Sequence, residues 1–371
     1  MKPSQFFSRR QLLQTSAAAV GTATLAPTMT FAGSDLSAPL DPKNMTIAFG
    51  HVGPKTDEGW TWTHHLGRQA VEAAYPDATY IEVESVPFSA QGSRTFRQFV
   101  AQEADMVFLT TDYGDLSNPI IDGSSDVAWM ECAAYDPTDN KRAYYVRHWD
   151  PSYLIGVAAG MLSKTGKLGY VGSYPTPAVQ SSINSFHLGA RSVNPDATTS
   201  VVYINSWFDP QGASQAGRAL VNGGADFLFG IMDEAAYLQV AEEAGIWAAM
   251  WNTDIRQYGP NAYVSSVLLD WTDYYVDQVK KRVEGTWSGN GLDLLPMGAG
   301  VDRDEWGQNV PQDVRDHVDD IRAKMLSGEF NPFVGPMNDN QGNAQIADGE
   351  ALSDDMLYAW PFLLEGVTAS S

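Results

Sequence analysis

An α/β fold in two lobes, each built on a largely parallel sheet, is what this chain predicts. Short runs rich in β-branched and aromatic residues alternate with helical patterns through most of the length, which is the signature of parallel strands joined by crossover helices. Ten such runs can be read from the sequence, and they suit two sheets better than one. About 340 residues follow the N-terminal segment, more than one hydrophobic core usually serves, so two lobes are the expected division.

In chain order the strand runs are Met45–Phe49, Thr79–Val83, Met106–Leu109, Val127–Cys132, Ala143–Val146, Leu168–Val171, Thr199–Ile204, Ala225–Ile231, Ile246–Met250 and Ala262–Val267. Between the first two, Trp62, Leu66, Ala70 and Ala73 recur at helical spacing with Arg68, Gln69 and Glu72 between them, which predicts a sheet-covering helix over Thr61–Ala74. Leu154, Ala158 and Leu162 stand four residues apart in Ser152–Lys164, a helix that opens the second half of the chain. A third helix, Ala235–Gly245, ends on glycine, a stop signal, just before the next strand. The Gly- and Asp-rich stretch 288–304 reads as a loop. Residues 44–152 plus 253–288 are expected to form lobe 1, and 153–252 plus 289–365 lobe 2.

Residues 1–32 carry Lys2, Arg9 and Arg10 with no acid, then a weakly apolar stretch ending in Thr30-Phe31-Ala32, the layout of an export signal. Ser8-Arg9-Arg10-Gln11-Leu12-Leu13 is similar to the twin-arginine motif, which exports folded proteins. The apolar run is too short to span a bilayer, so no stable membrane insertion is expected and the product should be periplasmic. Cys132 is the only cysteine, which excludes an internal disulfide and leaves no cysteine at the cleavage site to take a lipid. With a formal charge of −22 the basic face that phosphate binding needs is not expected, so nucleic acid is not expected as a partner, and the acidity itself reads as solubility.

In open parallel sheets ligands bind beyond the carboxyl ends of the strands. The residues there are informative. Asp57 and Trp60 follow the first strand, Asp112 and Tyr113 the third, Trp207 and Asp209 the seventh, Asp233 the eighth, and Asn252 and Asp254 the ninth, while Trp271 follows the tenth. Indoles stack on a flat ring and carboxylates or amides accept its hydrogen bonds, so these clusters suit a small ring bearing donors and fit an anion badly. Each aspartate has a second reading as a helix cap or turn former, and each indole could be covered by a neighbouring helix.

Several stretches together resemble the basic membrane protein family, the purine-nucleoside-binding group among the substrate-binding proteins of ATP-binding-cassette importers. They are His51-Val-Gly-Pro-Lys-Thr-Asp57-Glu-Gly-Trp60-Thr-Trp62-Thr-His64-His65-Leu-Gly67-Arg68, Tyr153-Leu-Ile-Gly156-Val-Ala-Ala-Gly160, Leu188-Gly-Ala-Arg191-Ser-Val-Asn194-Pro195 and Trp207-Phe-Asp209-Pro210. The resemblance implies a type I periplasmic-binding-protein fold, with two Rossmann-like lobes, a three-crossing hinge and a purine sandwiched between aromatics of opposite lobes. It places Trp60 and Trp207 at the two stacking positions, Asp57 just before the first, and Asp254 where the family binds ribose hydroxyls. An inner-membrane permease is the implied partner, the protein is expected to be a monomer, and no cofactor is expected. The sequence departs from the family in having indoles for the usual phenylalanines, Thr61 for an asparagine, Asp270-Trp271 near the place of a lysine, and Met232-Asp233-Glu234 for a threonine-aspartate pair. The resemblance favours a purine, and these departures leave its sugar open.

An exported nucleoside hydrolase is the rival from another class. Nevertheless the sequence has no Gly-x-Ser-x-Gly elbow, no His-x-x-x-His pair and no phosphate loop at Gly166-Lys167. His64 and His65 are adjacent and point about 100° apart on a helix, so they cannot share one metal, and no metal is expected. A sugar-binding protein of the same fold is the second rival, since sugars also stack on indoles.

Overall fold

The computed structural model describes residues 36–370; the export segment 1–32 lies outside the described residues. Alternation of buried side chains builds the first sheet. It begins with β1 (Thr46–Gly50), α1 (Trp60–Ala74), β2 (Thr79–Val83), α2 (Ala90–Ala101), β3 (Met106–Leu109), α3 (Asn118–Ile121), β4 (Ala128–Cys132) and β5 (Lys141–Val146). Ile47 and Phe49 face a core shared with Val71 of α1, whereas Ala48 faces Phe96 and Phe99 of α2. Both faces are therefore covered, as a parallel sheet requires.

The second sheet follows with α4 (Trp149–Leu162), β6 (Lys167–Gly172), α5 (Pro177–Val193), β7 (Thr198–Tyr203), α6 (Pro210–Asn222), β8 (Phe227–Gly230), α7 (Ala236–Ala244), β9 (Trp247–Asn252) and β10 (Tyr263–Leu269). Helix α4 is buried on nearly every side and packs on α5 at backbone contact. A Cβ on Gly156 would lie 2.0 Å from Phe186 O, and one on Gly189 2.0 Å from Tyr153 O. Only glycine permits that approach.

The rest comprises α8 (Thr272–Glu284), β11 (Leu292–Leu295), β12 (Val301–Arg303), α9 (Gln312–Leu326), β13 (Met337–Asn338), β14 (Ala344–Ile346), α10 (Asp354–Tyr358) and β15 (Val367–Ser370). Strand order is β11-β5-β4-β3-β1-β2 in the six-stranded first sheet and β12-β10-β9-β8-β6-β7-β15 in the seven-stranded second. All pairings in them are parallel except β10 with β12. The chain passes between the sheets after β5, after β10 and after β11, which gives the expected three crossings.

The boundaries expected for the lobes differ from this. Strand β10, expected within 253–288 of lobe 1, belongs to the second sheet, and β11, expected within 289–365 of lobe 2, belongs to the first. The stretch 288–304 is likewise not a plain loop, because β11 and β12 lie in it. These are short edge strands, partly exposed, whose sequences lack the apolar run that marks a central strand. Helix α4 starts at Trp149, three residues before the sequence predicts, because Pro151 in its first turn needs no N–H partner. Among the described residues no helix is long and apolar enough to cross a membrane.

Candidate functional site

Strand order reverses between β1 and β3 in the first sheet and between β6 and β8 in the second. Loops leaving neighbouring strands in opposite directions open a crevice at such a point. The segments after β1, β3, β6, β8 and β9 therefore build the candidate site.

Asp57 organises the first-sheet side. Its carboxylate accepts from Gly59 N at 2.9 Å, Thr61 N at 2.8 Å and Trp62 N at 3.0 Å, so it caps α1 from outside the helix. That geometry presents Trp60, whose Nε1 donates to Thr110 O at 2.7 Å. Behind it, Trp271 is fully buried, stacked on His64 with centroids 4.5 Å apart and donating to Thr63 Oγ1 at 3.2 Å. Beside it, Tyr145 approaches within 6.0 Å. From there a line of rings continues through His148 to Trp251, each step 5.5 Å between centroids.

On the second-sheet side the acceptors concentrate. Asn252 ends β9 with a positive φ of 71°, a conformation asparagine tolerates, and its Nδ2 donates to Asp233 Oδ1 at 2.5 Å. Its Oδ1 is buried and has no partner among the described residues. The backbone N–H of Trp60 across the crevice also favours the ionised form of Asp233. Burial first, then the charges of Asp57 and Glu234, push its carboxyl up to about 7 against the pull of those hydrogen bonds. His148 directs Nε2 to Ala178 O at 2.8 Å. The carbonyl fixes the proton on Nε2 and leaves Nδ1 as a bare buried acceptor. Burial lowers its pKa to about 3, so the ring stays neutral. Ser173 Oγ, just after β6, is also buried and without a partner among the described residues.

Asp233 and Trp251 line a cavity of about 350 Å³ that residues 56–59 close from the first-sheet side. The two sides meet directly: Tyr258 Oη donates to Glu58 Oε2 at 2.8 Å, and Thr253 Oγ1 donates to Glu58 O. A hollow of about 510 Å³ lies between Lys167, Thr198, Ala225 and Thr368, at the opposite, amino-terminal ends of β6 to β8, where parallel sheets do not present ligand loops.

The expected site residues divide accordingly. Asp57, Trp60, Asp233 and Asn252 come together at the crevice. Tyr113 does not: it is a core residue between Phe88 and Phe96 whose hydroxyl donates to Val86 O at 3.0 Å. Trp271 braces Trp60 from behind and offers no open face. Asp209 caps α6 through Gly212 N at 3.0 Å, and Asp112 makes a turn with Gly114 N at 2.8 Å. Asp254 is exposed and paired with Arg256 at 2.7 Å. Trp207 follows β7, but its ring leans on Tyr174 at 5.6 Å and is 42% exposed.

Sequence reasoning does not single out Tyr145, His148 or Ser173, and it reads Trp251 as the first residue after the ninth strand without assigning it a role. Tyr145 and His148 flank the first crossing between the sheets, a position no local pattern marks. Trp251 sits inside its strand rather than after it. His148, at the start of α4, is a lone histidine and carries no spacing that would mark a site.

The family model described as "ABC transporter substrate-binding protein PnrA-like", Bmp, matches residues 44–321. A purine-binding protein of Brucella abortus is 33% identical over 88% of this chain and 93% of its own length. A Haloferax volcanii protein named as an ABC transporter glucose-binding protein is 33% identical over 81% of this chain and 77% of its own. Among solved structures, a solute-binding protein of an ABC transporter system from Conexibacter woesei superposes with a TM-score of 0.62 at 22% identity, covering 77% of this chain and 98% of that one, and supports the fold. Matched over most of its length by a family of substrate-binding proteins rather than enzymes, this chain belongs to the Bmp family, the PnrA-like substrate-binding proteins of ABC transporters.

Proposed function

We propose that the chain captures a purine nucleobase or nucleoside in the crevice between its sheets and delivers it to an inner-membrane permease, after export by the twin-arginine route. The observation that carries this reading is the line of rings Trp60, Tyr145, His148 and Trp251 running beside buried acceptors with nothing to accept from, His148 Nδ1 and Asn252 Oδ1. Flat apolar faces beside bare acceptors call for a planar ring carrying N–H or O–H donors. The acidic surroundings, with Asp57, Asp233 and Glu234 close together, disfavour an anion. The purine-binding name of the Brucella relative points the same way.

Lobe closure is the mechanism. A ligand stacks on Trp60, the second side swings over it, and the closed form presents its outer faces to the permease. Trp207, exposed on Tyr174, is free to join the ring's other face during that motion. The name of the Haloferax relative favours a second reading, a sugar, because hexose hydroxyls would also satisfy these acceptors. Thermal-shift and calorimetric titration with adenine, guanine, hypoxanthine, their nucleosides and glucose distinguish the two. Saturable binding of a purine is expected, and a response to glucose alone would reject the purine.

A further inference from the structure

We infer that His51, His65 and Glu82 form a binding site for one divalent transition-metal ion of zinc's coordination preference, separate from the ligand crevice. The three residues come from three elements: His51 follows β1, His65 lies on α1 and Glu82 in β2. His51 Nε2 and His65 Nδ1 stand 3.0 and 2.9 Å from one oxygen, Glu82 Oε1. All the ligand atoms lie within 4.8 Å of one another. Two imidazole nitrogens and one carboxylate oxygen suit zinc, with bonds of about 2.0–2.2 Å and a fourth position left to water. Ligands at tetrahedral angles on such bonds are roughly 3.3–3.5 Å apart, so the ion needs each ring nitrogen to withdraw from Glu82 by a few tenths of an ångström and the two nitrogens, within 4.8 Å of each other, to settle at that spacing.

The other carboxylate oxygen, Oε2, is held by Lys55 Nζ at 3.0 Å and Arg68 Nε at 3.4 Å, as outer partners hold a metal-binding carboxylate. Two cations so close would repel a metal if they stood alone. Each has its own counter-charge, Glu84 at 3.3 Å from Lys55 and Glu72 at 2.6 Å from Arg68, so with neutral imidazoles the cluster is net negative before an ion enters. Access is open from the outside, because the side chains of His65 and Glu82 keep 12% and 15% of their exposure. The adjacent pair His64 and His65 does not share a metal, as the helix geometry requires: His64 turns inward to Tyr275 Oη at 2.5 Å while His65 turns out to Glu82.

An ion here would tie the end of β1 to α1 and β2, and so stiffen the loop between them that carries Asp57 and Gly59. The probe is zinc chloride titrated into the untagged full chain after chelator treatment, read by calorimetry and by melting temperature. One ion per chain and a raised melting temperature are expected. His65→Ala and Glu82→Gln should each weaken binding by roughly tenfold or more, while His317→Ala, at an exposed histidine on α9, should not. Circular dichroism checks that the variants fold. No saturable one-to-one binding, or equal binding by wild type and His65→Ala, would overturn the site.

Discussion

Replacing Asp233 by asparagine tests the electrostatics of the crevice most directly. The folded-state pKa of about 7 stands roughly three pH units above the ordinary 3.8, and burial, then Asp57, are its main causes. Each unit is worth about 1.36 kcal/mol, so keeping this carboxylate ionised in the closed protein costs at most about 4 kcal/mol. An unfolded chain loses the proton near 3.8, whereas the folded one holds it until near 7. Unfolding therefore releases a proton throughout that window, and stability falls as pH rises from about 4 to about 7 and stays low above it. Asp233→Asn removes the titration and keeps the shape. Relative to wild type it should gain stability progressively between about pH 4 and pH 7 and hold that gain at pH 8, by up to about 4 kcal/mol, a rise of several degrees in melting temperature for a chain of this size.

Melting of both proteins across that range, without ligand and at fixed ionic strength, is the assay. Glu234 and Asp150 are also pushed up to about 7 by burial and slope in the same direction; both remain in the variant, so the difference between curves reports Asp233 together with its coupling to Glu234. A difference that does not change with pH would refute the assignment of a raised pKa to this residue.

Other perturbations separate the site from the scaffold. Trp60→Ala should weaken purine binding roughly ten- to a hundredfold, since one stacking face is worth about 1–3 kcal/mol, and calorimetry reads it directly. Lys141→Met strands Glu131, whose side chain is fully buried and 3.2 Å from the lysine, and should cost about 3–5 kcal/mol in denaturant unfolding; adding Glu131→Gln should recover much of that loss. Gly189→Ala forces a methyl group onto Tyr153 O between α4 and α5 and should cost about 1–3 kcal/mol or more, seen as a lower unfolding midpoint.

Much of the fold was legible because parallel strands buried on both faces leave apolar runs such as Met106–Leu109, which the structure reproduces residue for residue. Edge strands carry no such run, and β11 and β12 were lost for that reason. The two-sheet organisation followed from length and strand count, but the crossing points did not: nothing local in Leu269-Asp270-Trp271 says that the chain changes sheet there. The site was legible only where a strand end coincides with a topological switch, as at Trp60 and Asp233. At Tyr113 the same reasoning failed, because a tyrosine after a strand can turn under α2 as readily as out into the crevice.

The dual reading of the aspartates resolves into a division of labour that bears on the ligand. Asp57 has committed its carboxylate to three N–H groups of the α1 start, so a ligand could engage it only by uncapping the helix. Its charge nevertheless acts, because in this structure it raises the hold of Asp233 on a proton, and the proposed closure would bring the two together. Closing the crevice thus has an electrostatic cost unless something supplies positive hydrogen to Asp233, whether a proton from solvent or a donor on the ligand. Asn252 already supplies one donor, and the bare acceptors His148 Nδ1 and Asn252 Oδ1 ask for more of the same kind. An amine- or hydroxyl-bearing neutral ring meets that need and favours the closed state, while an anion would add a further negative charge to the same pocket. Ligand polarity and lobe closure are in this way one equilibrium, and proton uptake on closure should diminish when a donor-bearing ligand takes the proton's place.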